Sequence, residues 1–125
     1  MRKNQKGFSL IELLIVVAII LIIAAIAIPN LLRSKMAANE SSAVGSLRSL
    51  NTAAVTYSST YGIGFPVGLA NLAPATTPTS TSADLIDNVL ATGTKSGYSF
   101  TFVGTATSGI VQTYSATALP VTVNQ

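Results

Sequence analysis

The sequence places one acidic side chain where it would need a partner. Every residue in 13–28 is apolar, and the longer stretch 8–28 contains a single charge, that of Glu12. A carboxylate in a membrane helix costs a few kcal/mol and usually marks a functional position. No cation lies near Glu12 on this helix, so this carboxylate needs a partner that the helix itself does not supply. The alternative is a glutamate solvated at the membrane surface.

The remaining residues offer little catalytic chemistry. Cys and His are both absent, which excludes disulfides, zinc sites built from those residues, and acid-base catalysis by histidine. Asp84 and Asp87 are spaced to share a cation, but no run of alternating oxygen ligands surrounds them. We predict instead that they lie together at a helix start. The sequence therefore predicts no enzyme activity, no metal and no cofactor.

The net charge of +3 comes from the first residues of the chain. Arg2, Lys3 and Lys6 account for all of it, since the other charges cancel; those are Arg33, Lys35, Arg48 and Lys95 against Glu12, Glu40, Asp84 and Asp87. This distribution does not indicate a nucleic-acid partner. Positive charge directly before an apolar helix keeps that end cytoplasmic and sends the C-terminal part outward.

The apolar stretch is long enough to cross a membrane. As a helix, residues 8–28 would extend about 31 Å, the thickness of a bilayer core. Ala24, Ala25 and Ala27 could be mistaken for a signal-peptide cleavage site, but the apolar run is longer than a typical signal core. A small residue, Gly7, precedes it, and cleavage there would leave the whole helix on the product.

These features together resemble a known family. The stretch from Lys6 to Leu32, about a fifth of the chain, is similar to the N-terminus of type IV pilins and of the pseudopilins of type II secretion. The matching elements are a short basic leader, then Gly7, Phe8, Glu12 and Pro29.

The resemblance implies a processing step. A prepilin peptidase would cut between Gly7 and Phe8 from the cytoplasmic side, and the new amino group of Phe8 would be N-methylated. That amino group, on a neighbouring subunit, would be the missing partner of Glu12 and would set the register between subunits. In the simpler alternatives Gly7 is an ordinary linker glycine and Phe8 a lipid-facing residue.

The resemblance also divides the chain into segments. Residues 1–7 form the leader, residues 8–29 the transmembrane and filament-core segment, and residues 30–125 a small globular head. Pro29 removes a backbone donor and clashes with the carbonyl of Ala25, so we expect a kink or loosening near residues 25–29. Its role would be mechanical, and the alternative is a tolerated membrane-helix proline.

Beyond Pro29 the sequence predicts that the helix continues. One helix from about Phe8 to Tyr61 would be near 80 Å long, with Gly62 as its C-terminal cap. Its second half carries an apolar stripe that consists of Leu47, Leu50, Ala54, Tyr57 and Tyr61. Met36, Ala43 and Val44 extend the stripe less regularly. We predict that the opposite face carries Ser46, Arg48, Ser49, Thr52, Thr56 and Ser59.

The last part of the chain is predicted to form loops and strands. Residues 62–82 are predicted to form a loop that Leu69 and Leu72 hold to the core. Residues 83–91 are predicted to form a short helix capped by Ser82. Alternating apolar and hydroxyl residues predict strands at 98–103 and 111–116, a loop at 104–109 and a third strand at 121–123. We therefore predict an α+β pilin fold, in which a long N-terminal helix packs on a small antiparallel sheet.

The function implied is that of a structural subunit of a type IV pilus, serving adhesion, twitching motility or a related task. The precursor would lie in the bacterial inner membrane and the assembled filament outside the cell. Its partners would be copies of itself, the prepilin peptidase and methyltransferase, and the pilus assembly platform with its ATPase.

Two alternatives remain open. The first is a type II secretion pseudopilin, against which we find no calcium site, although the C-terminal disulfide loop frequent in major pilins is also missing. The second is a single-pass anchored binding protein or enzyme that never polymerises, keeps residues 1–7 and does not depend on Glu12.

Overall fold

The computed structural model describes Asn4 and residues 6–123. In chain order, it contains helix α1 (Leu10–Tyr61), a 3-10 helix (Leu69–Leu72), helix α2 (Asn88–Ala91) and strands β1 (Thr94–Lys95), β2 (Tyr98–Thr107) and β3 (Ile110–Pro120). This is the predicted α+β architecture. The chain divides into two compact units, Met1–Lys35 and Met36–Gln125.

The first unit contains the apolar part of α1. The helix begins at Leu10, two residues later than predicted, because Ser9 caps it. The helix continues without a break through Pro29. A proline at this position leaves the carbonyl of Ala25 without its usual helical donor, but the expected kink stays a prediction.

The second unit is built around the amphipathic half of α1. Leu50, Ala54 and Tyr57 are buried as predicted, and Leu47 and Tyr61 pack against the same core. The prediction for Ser46 was wrong, since this side chain is buried, whereas Met36 and Val44 are exposed. The buried residues of the helix are Ala43, Ser46, Leu50, Ala53, Ala54 and Tyr57.

The core joins this helix to the sheet and the loop. Leu50, Leu72, Leu90 and Phe100 belong to one buried cluster, so helix α1, the 3-10 helix, α2 and β2 share it. Tyr57 packs in the cluster while its hydroxyl donates to the carbonyl of Ser80 at 2.7 Å, and burial raises the pKa of this phenol. The long loop is therefore held to the helix by both apolar and polar contacts.

The sheet is antiparallel, with the order β1-β2-β3 among the described residues. Two predicted boundaries were wrong. Residues 104–107 and 110 belong to the strands, because Ser108 and Gly109 both adopt positive φ (55° and 83°) and make a two-residue turn suited to a hairpin. The third strand is Thr94–Lys95, whereas residues 121–123 form bends and a turn.

The loop at residues 65–67 lies against the sheet at Gly104, which has no side chain. The Phe65 N–H donates to the Val111 carbonyl, and the Gly104 N–H donates to the Val67 carbonyl, both at 2.9 Å. A Cβ on Gly104 would run into the carbonyl of Pro66 and the side chain of Val111. Glycine at this position therefore allows the loop to lie directly on the sheet.

The helix predicted at 83–91 forms only over Asn88–Ala91, and residues 83–87 adopt no regular secondary structure. Asp84 has a φ of +52°, and the N–H groups of residues 83–86 donate to carbonyls of residues 71–73 instead of continuing a helix. Ser82 donates to the Ala73 carbonyl and caps nothing. The α2 cap is Asp87, whose carboxylate accepts from the Leu90 N–H at 3.1 Å. Asp84 and Asp87 therefore do not share a helix start.

Candidate functional site at the start of the first helix

The segment ahead of α1 is open to solvent. Gly7 and Phe8 lie outside any helix or strand and are exposed, Phe8 to 93%. A Cβ built on Gly7 would meet no heavy atom within 4 Å, and Gly7 is not among the glycines with positive φ. Neither packing nor backbone conformation within the chain therefore requires glycine at position 7. A requirement for a small residue there would have to come from a partner.

Glu12 takes part in a reciprocal cap at the start of α1. The Ser9 N–H donates to Glu12 Oε2 at 3.1 Å, and the Glu12 N–H donates to Ser9 Oγ at 3.2 Å. This is a capping box, which satisfies two backbone donors that a helix start leaves free. The negative charge of Glu12 also lies in the first turn, where the helix dipole favours it.

Ser9 is the residue that sequence reasoning missed. The signal was present, since a serine followed three residues later by glutamate, ahead of an apolar run, is typical of a helix start. The cap gives Glu12 a local structural role in addition to the predicted one between subunits.

Among the residues that the structure describes, no cation forms an ion pair with Glu12. Within residues 6–123 and Asn4, the ion pair present is that between Lys95 and Asp87 at 3.5 Å, far along the sequence from Glu12. A second carboxylate oxygen, Oε1, has no hydrogen bond to any described residue. Glu12 therefore retains the capacity to bind a positive group from another molecule.

The helix that follows presents an unusual amount of apolar surface. Its large apolar side chains between Leu10 and Ile28 are exposed by 45% at Val17 to 74% at Leu10. Among the described residues, α1 is the helix whose length and composition would allow it to cross a membrane. Burying one such side chain fully is worth about 1.5–3 kcal/mol, so this surface favours a lipid or protein environment over water.

The structure brings some of the predicted residues together. Gly7 and Phe8 directly precede the cap that Ser9 and Glu12 form. Pro29 is separated from Glu12 by about 25 Å along the helix axis, so it belongs to a different part of α1. Any role of Pro29 is therefore independent of the residues at the helix start.

The second unit offers no comparable group of reactive side chains. Within the part of the chain that the structure describes, no three acidic, His or Cys residues lie close enough to hold a metal ion. An open groove beside Arg48 and Leu85 is lined by hydroxyl groups, but these donate to carbonyls of their own helix; Ser49 to Gly45, Thr52 to Arg48 and Thr56 to Thr52. This groove therefore has the character of a helix surface.

Comparison with known proteins confirms the resemblance over the N-terminal segment. Residues 2–28 match the family described as the prokaryotic N-terminal methylation motif. The chain is 63% identical over 38 residues to the type IV wide pilus major component PilA4 of Thermus thermophilus, a stretch covering 30% of this chain and 29% of that protein.

Two further relatives agree. The type IV major pilin protein PilA of Myxococcus xanthus is 52% identical over 50 residues, covering 40% of this chain and 23% of the relative. A fimbrial protein of Pseudomonas aeruginosa is 54% identical over 52 residues, covering 42% and 34% respectively. The matched stretches thus span about a third or less of these relatives. No solved structure matches the chain significantly.

Proposed function

We propose that this chain, whose N-terminal segment is that of type IV pilins, is a structural subunit of a type IV pilus. The observation that carries the proposal is the long exposed apolar surface of α1. It begins next to an accessible Gly7-Phe8 bond and to Glu12, which has no ion pair among the described residues. A helix of this kind is suited to a membrane at one stage and to a bundle of identical helices at another.

The first step would be removal of the leader, residues 1–7. The Gly7-Phe8 bond lies ahead of the helix, so a peptidase could bind it without unwinding α1. A peptidase subsite that admits only a small side chain would explain Gly7, which the chain itself does not require. The match to the methylation motif supports N-methylation of the new N-terminal residue, Phe8.

The second step would be assembly through Glu12. Cleavage creates a positive amino group on Phe8, and a neighbouring subunit can offer that group to Glu12. Among packed apolar helices such a pair is poorly screened, so an unpaired Glu12 would be strongly unfavourable while a paired one is tolerated. The pair would therefore select one axial register among the many that apolar packing allows.

The subunit would be stored in the bacterial inner membrane with its N-terminus cytoplasmic, and residues 30–125 would form the head outside. In the filament, residues 8–29 would lie at the centre. Pro29 would let the helix loosen nearby as subunits leave the membrane, because the carbonyl of Ala25 lacks its helical donor. The partners would be the peptidase and methyltransferase, the assembly platform and its ATPase, and the chain itself would have no enzyme activity.

Shearing the producing cells tests this function directly. We expect the sheared fraction to contain filaments visible by electron microscopy, labelled by an antibody to the head. Retention of the protein in the cell envelope within short filaments would indicate a pseudopilin instead. Retention as an unpolymerised membrane protein would contradict both and favour an anchored monomer.

A further inference from the structure

Strand β3 has an outer edge that is unpaired over its middle part and lacks charged protection there. It is the last strand in the order β1-β2-β3 and comprises 11 residues. Soluble proteins usually protect such an edge with lysines, other charges or prolines. Residues 98–120 contain no charged side chain, and Pro120 is the strand's last residue.

The hydrogen-bond pattern shows which backbone groups lie on that edge. The Val121 N–H donates to the Gly97 carbonyl at 2.9 Å, in line with the register that pairs Ser99 with Leu119. In an antiparallel ladder the residues that bond to one neighbour alternate with those that point away. Beyond the bulge near Thr105, the odd-numbered residues of β3 therefore bond to β2.

The even-numbered residues consequently point their backbone groups outward. These are Tyr114, Ala116 and Ala118, and none of them has a backbone hydrogen bond to a described residue on that side. Near the turn the edge is occupied, because the Val111 carbonyl accepts from Phe65. At the other end Pro120 has no N–H to offer. The open part of the edge is thus centred on Ala116.

The side chains beside this edge do not hinder close approach. Thr113, Ser115 and Thr117 are exposed and uncharged on the outer face of β3. Two copies of the strand would meet without charge repulsion, and each outward N–H would face a carbonyl of the other. An antiparallel pair of identical edges is self-complementary in this way.

We propose that the β3 edge is a self-association surface, on which the β3 strand of a second copy pairs antiparallel about Ala116. Tyr114 then lies opposite Ala118 of the other copy, and Ser115 opposite Thr117. This inference rests on the proposed pilus function for its setting. Such a pair has two-fold symmetry, whereas subunits along one filament are related by a screw operation. The surface therefore joins neighbouring filaments side by side into bundles.

Charged variants test the proposal in purified filaments. Ser115→Lys with Thr117→Lys places like charges opposite each other across the proposed pair. The matched control is Val103→Lys with Thr101→Lys, which adds the same charge to the same face at the registered positions of β2. We expect the β3 variant to reduce the fraction sedimenting at low speed by about tenfold, while the β2 variant bundles like the wild type.

An uncharged variant provides a second measurement. Ala116→Pro removes one outward N–H and leaves the bonds of the odd-numbered residues to β2 intact. We expect single filaments by electron microscopy. Mixing Ser115→Lys filaments with Thr117→Glu filaments places unlike charges opposite each other, so we expect bundles that contain both variants.

Three results would overturn the inference. They are dispersed wild-type filaments, equal dispersal by the β2 control, and normal bundling by Ala116→Pro. Absence of any filament in the wild type would instead contradict the proposed pilus function, so the two failures are distinguishable.

Discussion

Glu12 has two roles open to it, and they require different properties of the side chain. In the described chain its carboxylate accepts from the Ser9 N–H as part of the helix cap. In the proposed filament it would bind the amino group of Phe8 on a neighbouring subunit. A cap needs an acceptor oxygen, whereas pairing with a cation needs the negative charge.

The variant Glu12→Gln separates these roles. Glutamine also completes a capping box, so the helix start should remain, but the charge is lost. We expect processed subunits to accumulate in the membrane, with filament yield reduced by at least about tenfold. Quantitative immunoblotting of sheared and cell fractions measures this.

Ser9→Ala is the matched control for the cap. It should cost about 1 kcal/mol at the helix start and leave assembly largely intact. Wild-type filament yield from Glu12→Gln would contradict the pairing role and leave Glu12 as a capping residue.

Gly7 is predicted to matter only to an external partner. Since a Cβ at this position meets nothing within the chain, Gly7→Leu should leave the fold unchanged. We expect uncleaved precursor to accumulate and filaments to be absent, as judged by the ratio of the precursor to the mature form on immunoblots. Normal processing of Gly7→Leu would show that the peptidase does not read this residue.

At the scale of elements, the hairpin of β2 and β3 depends on a position without a side chain. Gly104 lies beneath the loop at Pro66, and the added methyl of Gly104→Ala would meet backbone atoms that cannot simply rotate away. We expect a loss of about 3 kcal/mol in the free energy of unfolding of the head, measured by urea denaturation of the full chain in detergent.

Gly45→Ala provides the control for that measurement. Gly45 lies inside α1, and a Cβ there meets nothing within 4 Å. This change should stabilise the head by about 0.5–1 kcal/mol, since glycine is a poor helix former. Similar stabilities for both variants would mean that the loop does not lie on Gly104 as described.

Asp87 links the stability of α2 to pH. The hydrogen bond from the Leu90 N–H, with a smaller effect from Lys95, holds the pKa of this carboxyl below the usual 3.8. A carboxyl with a lowered pKa stabilises the fold above its unfolded pKa, and this contribution is lost as pH falls through the folded value. The ion pair is half-exposed and adds little by itself.

Comparing the wild type with Asp87→Asn tests this pH-dependent contribution of Asp87 to stability. Asparagine keeps the cap but does not titrate. We expect the stability difference between the two proteins to shrink as pH falls from about 5 to 3. A difference that stays constant across this range would contradict a lowered pKa for Asp87.

The sequence predicted the parts of the fold that depend on long, regular patterns. The α1 helix and the buried Leu50, Ala54 and Tyr57 followed from apolar spacing, and the two long strands from alternation. Short elements depended on tertiary contacts instead. Residues 83–86 bond to the 3-10 helix region, and the positive φ of Ser108 extends the hairpin beyond its predicted ends.

The residues of the candidate site were likewise predicted only in part. Glu12 stood out as a lone charge, and Gly7 and Phe8 followed from the family resemblance. Ser9 was missed because Glu12 was considered only as a membrane-embedded charge, although the capping signal was present in the sequence. The free β3 edge could not be predicted, since it depends on which strand lies outermost.

At the scale of the whole molecule, the two halves of one helix have different surfaces. Its first half exposes apolar side chains, and its second half supports the core of a head that carries few charges. In the proposed function, membrane residence would be a storage state, and removal of the leader would commit the subunit to assembly. In the proposed function, that single cleavage would create the Phe8 amino group, which is the partner proposed for Glu12.

The intact mass and N-terminal sequence of subunits from sheared filaments test this central claim most directly. We expect an extracellular filament whose subunit begins at Phe8 and carries one methyl group on the Phe8 amino nitrogen. Filament subunits that retain residues 1–7, or a protein found only as an uncleaved membrane monomer, would contradict it.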